Sequence, residues 1–260
     1  MRFLWAPAAC AIALSACAAR VPPRPSGPET PDPPAIEAFN QATKQCAGMR
    51  TLTSEVRLSG RAGGERLGGT LHIGLAAPAD LRVEALAPIG QPFFILAGRD
   101  NRATLFLTRD NRVLRDAPVD AVLERLTGLA LTATDLRLLL TGCLSVPANP
   151  SNGRAFNSGW RAVTLASGTI AYLRNIDGIP AVVAADQGNW RVDYAMHHNG
   201  WPRQVRIRSV SGDVDMTAAL GEFEMNTELE PRVFEVTVPA DAAPLTLDHL
   251  RSVVPLRASP

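Results

Sequence analysis

The sequence predicts a mainly β protein of the α+β kind, a large antiparallel sheet wrapped around a few helices. Three observations carry this. Apolar residues recur with a period of two over most of the chain, between breaks rich in Gly and Pro. Helical spacing is confined to short stretches at the start, the middle and the end. Apolar residues make up 46% of the chain and aromatics only 5%, so the core is substantial but largely aliphatic.

Leu52, Val56 and Leu58 alternate with Thr53, Glu55, Arg57 and Ser59, and after Gly60 to Gly69 the pattern returns as Leu71, Ile73 and Leu75. Leu81, Val83 and Ala85 follow against Asp80, Arg82 and Glu84. These are half-buried antiparallel strands. Gln91 to Gly98 is apolar on both sides of the alternation, which demands cover on both faces, and Ala103–Thr108 with Arg112–Arg115 form a hairpin about Asp110-Asn111. In the second half, Arg161–Leu165, Thr169–Arg174, Ala181–Asp186, Trp190–Met196, Gln204–Val210, Val214–Leu220 and Phe234–Val238 read as strands, about a dozen in all.

The first helix is expected over Ala35–Ala47, with Ile36, Phe39 and Cys46 on one face and Gly48 as its stop. Pro118 opens the second; Val119, Val122, Leu123 and Leu126 follow at helical spacing up to Gly128. Thr132 and Asp135 resemble a capping box for a third, whose stripe is Leu136, Leu139 and Leu140 and whose stop is Gly142. Pro147–Gly153 reads as a loop, and Leu245–Val253 as a short closing helix.

The chain begins with Arg2, an apolar run from Phe3 to Ala13 that is too short to span a bilayer, and then Leu14-Ser15-Ala16-Cys17. This resembles the lipobox of bacterial lipoproteins, which implies cleavage before Cys17 and acylation of that cysteine. Ala18 stands where inner-membrane lipoproteins often carry Asp, so the expectation is a lipid anchor in the outer membrane, facing the periplasm of a Gram-negative bacterium. Residues 1–16 are then a signal peptide. Residues 17–34, with seven prolines among Ala18–Pro34, form a Pro-rich tether. Residues 35–260 form a single domain.

Lys plus Arg number 26 against 25 Asp plus Glu, and loss of Arg2 leaves the mature chain close to neutral. Nucleic acid is not an expected partner. Cys46 and Cys143 remain after the signal peptide and Cys17 are set aside. Both sit beside a helix stop in a compartment that permits disulfides, so they are expected to pair.

No nucleophile elbow, phosphate loop or zinc motif is present. Neighbours on a strand point to opposite faces, so His197-His198 is not a metal pair; Asp213 and Asp215 read as a solvated strand face. The chain is expected to be a binder rather than an enzyme, with no cofactor and no metal.

The segment Leu81–Val146 is similar to the LolB family of outer-membrane lipoproteins. The shared features are Leu86-Ala87-Pro88-Ile89-Gly90-Gln91 after a strand, a charged hairpin, then Leu123-Glu124-Arg125-Leu126-Thr127-Gly128-Leu129-Ala130-Leu131 and Leu136-Arg137-Leu138-Leu139-Leu140-Thr141-Gly142. The resemblance implies an incomplete antiparallel β-barrel whose helices form a lid over an apolar cavity for acyl chains. It also implies a lipid-contact loop at Pro88, Ile89 and Gly90, with Ile89 as the exposed aliphatic residue, where the family has Leu. The expected partners are acyl chains of lipoproteins or other envelope lipids, and a periplasmic LolA-like carrier. The stretch after Trp190 is longer than in that family. Candidate cavity-lining residues are Leu71, Ile73, Leu81, Val83, Phe93 and Ile95 from the first strands, Leu123, Leu126, Leu136, Leu139 and Leu140 from the helices, and Trp190, Val192 and Tyr194 from the second half. A structural or scaffold lipoprotein, packed with its own side chains and binding a partner through its sheet, is the alternative.

Overall fold

The structure is a computed structural model that describes residues 23–87, 92–144 and 149–250. Cys17 and the loop residues Pro88, Ile89 and Gly90 lie outside the described residues.

The first half contributes β1 (Glu29–Pro31), α1 (Pro34–Thr43), β2 (Thr51–Ala62), β3 (Glu65–Ala76), β4 (Asp80–Leu86), β5 (Pro92–Arg99), β6 (Arg102–Leu107) and β7 (Arg112–Pro118). Two helices follow, α2 (Val119–Thr127) and α3 (Ala133–Thr141). The second half runs through β8 (Pro150–Phe156), β9 (Arg161–Leu165), β10 (Ile170–Ile176), β11 (Ile179–Gln187), β12 (Trp190–Ala195), β13 (Gln204–Ser209), β14 (Val214–Met225), β15 (Ala243–Pro244) and α4 (Leu247–Leu250). All fifteen described strands belong to one open sheet, in the order β1-β8-β9-β10-β11-β12-β13-β14-β2-β3-β4-β5-β6-β7-β15. Every pairing is antiparallel except that of β15 with β7. The two halves of the chain meet where β14 pairs with β2, Leu220 opposite Val56 and Thr217 opposite Ser59. Gly60 is required at that seam: its φ is +147° and a Cβ there would lie 2.1 Å from the Asp215 carbonyl oxygen.

The helices pack against one face of this curved sheet. A single apolar cluster includes Phe39 of α1, Leu123 and Leu126 of α2, Leu140 of α3 and inward residues from β2 through β14. Both middle helices are punctuated as their sequences predict. Gly128 and Gly142 end them in left-handed conformation, each at φ +74°. Thr132 and Asp135 form a full capping box: the Asp135 amide donates to the Thr132 hydroxyl oxygen at 3.0 Å, and the Thr132 amide to the Asp135 carboxylate at 3.0 Å. Cys46 and Cys143 are joined in a disulfide, Cα atoms 5.7 Å apart, which ties the turn after α1 to the residue after Gly142.

Several expectations are corrected. The first helix ends at Thr43 and tightens into a 3-10 turn over Lys44–Gly48. The loop expected at Pro147–Gly153 contains the start of β8, which lies between β9 and the edge strand β1, Glu29 opposite Phe156. The strand expected at Phe234–Val238 is absent: Pro231–Phe234 is a 3-10 turn lying against β4 and β5, interior strands already paired on both sides, with Arg82 donating to the Val233 and Glu235 carbonyl oxygens. The closing helix is described only over Leu247–Leu250. The described part of the Pro-rich stretch does not stand free of the domain, since β1 joins the sheet and Arg24 is docked on it.

Candidate functional site: an aliphatic cavity under the helix pair

The hairpin order places one set of turns at the same end of the strands. β2–β3, β9–β10, β11–β12 and β13–β14 all turn there, and the turns are linked: the Gly63 amide donates to the Asp213 carbonyl oxygen and the Val210 amide to that of Asn189. The link between α2 and α3 lies over this rim, Gly128 facing Ala62 at the end of β2.

A cavity of about 480 Å3 opens beneath that link. Its mouth is edged by the exposed residues Ala130, Asp135, Gln187, Gly188 and Asn189, and its wall contains Leu138, Leu144, Trp190, Val192 and Tyr194. A second cavity, about 120 Å3, lies deeper against β2–β5, β13 and β14. Leu71, Ile73 and Val83 line it from the sheet, and Leu123, Leu126, Leu136, Leu139 and Leu140 from the helices. Thr127 is the one polar residue in its described wall. Leu129, Leu131, Leu139 and Ile207 belong to both walls, so the two spaces adjoin.

The register explains which side chains arrive. Leu71 lies opposite Ala85, Ile73 opposite Val83, Val83 opposite Leu96, and Ala85 opposite Phe94, and residues directly opposite share a face. Phe94 and Leu96 therefore line the cavity. The expectation for Phe93 and Ile95 is corrected: Ile95 sits opposite Glu84 on the outer face, and Phe93 carries the Arg109 guanidinium 5.7 Å from its ring centre. Leu81 is also outside the walls. It is fully buried beneath the start of α2, where Gly98 leaves room: a Cβ on Gly98 would lie 2.8 Å from Val119 and 3.2 Å from Leu81. Val56, Leu58, Leu67, Val205, Ile207 and Met216 also line the walls and were not among the candidates, although the same alternation marks them.

No charged side chain is in the described wall of the deeper cavity. The Tyr194 ring is in the wall, and its buried hydroxyl has no hydrogen-bond partner; burial pushes its pKa well above the ordinary tyrosine value. Asp193, one residue away on the outer face, is fully buried between Arg24 and Arg208. Of the histidine pair, the His197 ring bonds the Val182 carbonyl oxygen at 3.0 Å, and His198 is exposed. Among the described residues no three His, Cys, Asp or Glu side chains gather as a metal site, and no helix is long and apolar enough to cross a membrane. Such a space can desolvate an aliphatic chain, each methylene contributing about 0.8 kcal/mol, and penalises a polar ligand group lacking a partner.

No protein-family model matches the chain, and no curated protein matches it. Among solved structures, it is similar to a DUF1329 family protein from Desulfovibrio piger, at 13% identity and TM-score 0.48, over 78% of this chain and 97% of that one. It is likewise similar to a LolA superfamily protein from Nitrosomonas europaea, at 10% identity and TM-score 0.47, over 78% of this chain and 97% of the other.

Proposed function

We propose that this protein is an outer-membrane lipoprotein, anchored through Cys17, that takes acyl chains into the cavity under α2 and α3 and hands lipoproteins received from a periplasmic carrier to the membrane. The observation that carries this is a pair of adjoining spaces left unfilled by the protein, the deeper one walled by apolar side chains but for Thr127, the outer one opening at the rim through a wall of mixed polar and apolar residues. The larger part, about 480 Å3, lies within the roughly 300–1,000 Å3 typical of small-molecule sites. A scaffold would fill its interior with its own side chains, so the open space favours a lipid-binding role. The resemblance of Leu81–Val146 to the LolB family agrees with it. The reading is of a binder, with no reaction assigned.

Leu139 decides the matter because it belongs to both walls. A fluorescent sixteen-carbon fatty acid, about the length of a lipoprotein acyl chain, should bind the protein, and Leu139→Trp should weaken it about tenfold or more by filling the junction. A half-buried Leu tolerates the change better than a core one, so the melting temperature should move by only a few degrees. No binding by the folded wild-type protein, or equal binding by Leu139→Trp, would sink the reading.

A further inference from the structure

The face of the sheet turned away from α2 and α3 carries a groove of its own, about 460 Å3, whose lining includes Ser59, Thr217, Arg61, Arg66, Arg206 and Asp215. The register builds it in two rows, since residues directly opposite one another share a face. Across β3, β2, β14, β13 and β12 the first row reads Arg66, Arg61, Asp215, Arg208, Arg191. The second, two residues along each strand, reads Gly68, Ser59, Thr217, Arg206, Asp193. Gly68 has no side chain and Ser59 and Thr217 have short ones, so the groove has a low floor bearing hydroxyls, with guanidinium groups standing along it.

The charges in these rows do not balance. Asp193 is taken by Arg208 and Arg24, and Asp215 by Arg206, whose Nε and one terminal nitrogen donate to its two carboxylate oxygens at 2.7 and 2.6 Å. That leaves Arg61 and Arg66. Both are exposed and directly opposite each other, and among the described residues neither has a carboxylate at ion-pair distance. Glu65 lies opposite Ala62, and so belongs to the other face. Like charges placed opposite one another destabilise a sheet, so the pair holds a repulsion that a bound anion would remove.

We propose that this groove binds a phosphate group. Arg61 and Arg66 pair with its oxygens on one side, the Arg206 nitrogen that Asp215 does not use pairs on the other, and the Ser59 and Thr217 hydroxyls donate from the floor. Guanidinium forks match phosphate oxygens two at a time, and phosphate offers more oxygens to several forks at once than a planar carboxylate does. Asp215 is the one carboxylate in the described lining, and Arg206 already matches its charge. The group is carried by a lipid headgroup or by a soluble phosphate. The site depends neither on the Cys17 anchor nor on what the acyl cavity holds.

The test is titration calorimetry of the full chain at constant ionic strength, with inorganic phosphate and with glycerophosphoglycerol, a lipid headgroup that has no acyl chain for the cavity. At least one probe should bind, and Arg61→Ala/Arg66→Ala should weaken it about tenfold or more, the scale of a lost charge-assisted contact. Arg57→Ala, on the same strand face but outside the groove, should bind as the wild type does. Thr217→Glu puts a carboxylate into the floor and leaves every arginine in place. It should weaken binding as much, which covers the case in which the double variant fails to fold. Binding of the headgroup assigns the site to a phospholipid, and binding of inorganic phosphate alone assigns it to a soluble phosphate. Binding of neither probe, a response matched by sodium chloride, or equal binding by the folded Arg61→Ala/Arg66→Ala protein would overturn the proposal.

Discussion

Asp193 has no exposed side-chain surface and faces away from the cavity, so its carboxylate is satisfied by two arginines alone: Arg208 at 2.6 Å and Arg24 from the N-terminal stretch. Removing one member of a buried ionic set leaves the others uncompensated. Asp193→Ala should therefore lower stability by about 3 kcal/mol, read by urea unfolding, while Asp213→Ala on the exposed β13–β14 turn should cost less than about 0.5 kcal/mol. His197 gives the protein a pH dependence of predictable sign. Burial lowers its pKa below the ordinary 6.5, so the unfolded chain takes up a proton that the folded protein refuses. That contribution is complete above about pH 6.5 and is lost as pH falls through the lowered pKa. His197→Gln should flatten the decline between pH 6.5 and 5, seen in melting temperatures taken across that range. Asp215 acts lower on the scale: its hydrogen bond from Arg206 holds its pKa below the usual carboxylate value, and that stabilisation fades only as pH drops under about 3.8. At single residues the sequence was readable wherever polar and apolar positions alternate, as at Leu71, Ile73 and Val83. It failed at Phe93 to Leu96, where both parities are apolar and only the pairing with β4 chooses between them.

The two middle helices were legible because their ends are chemically marked, by Gly128, Gly142 and the Thr132–Asp135 box. Their place over the sheet depends on a link that is not local. The disulfide joins residues 97 positions apart and sits in a small cluster with Met49, separate from the main core. In the chain-entropy treatment, closing a loop of that size contributes roughly 4–5 kcal/mol, and a Cys46→Ala/Cys143→Ala protein should lose about 2–5 kcal/mol in denaturant titration. Because α3 walls both cavities, the same variant should bind the fatty-acid probe less tightly under conditions where it remains folded. β1 escaped prediction for the opposite reason: Glu29-Thr30-Pro31 has no apolar pattern, and the partner that makes it a strand, β8, comes more than a hundred residues later. The expected strand at Phe234–Val238 had the alternation and lacked a partner.

For the whole molecule, the antiparallel order follows from successive hairpins, which is why the fold class could be read without knowing any contact. The joining of the halves at β14 and β2, and the docking of Arg24 across the second half, are long-range events that composition does not announce. The transfer role proposed here makes a demand on Ile89, whose loop joins the ends of β4 and β5 at Leu86 and Pro92. Ile89→Glu should reduce delivery of a lipoprotein from carrier to liposomes by about tenfold, because a carboxylate is costly in hydrocarbon, with the melting temperature unchanged. Normal delivery by the folded variant would remove the loop from the mechanism and leave the cavity in place.

Both margins of the sheet carry proline-containing strips: Glu29-Thr30-Pro31 lies along β8, and Ala243-Pro244 along β7. A proline cannot donate to a further strand, and a two- or three-residue margin offers little backbone for a neighbour to copy. Proteins concentrated on a surface meet one another far more often than in solution, and a sheet this wide with bare margins would polymerise there. On the Cys17 anchor proposed above, these strips would let many copies crowd one membrane without stitching together edge to edge.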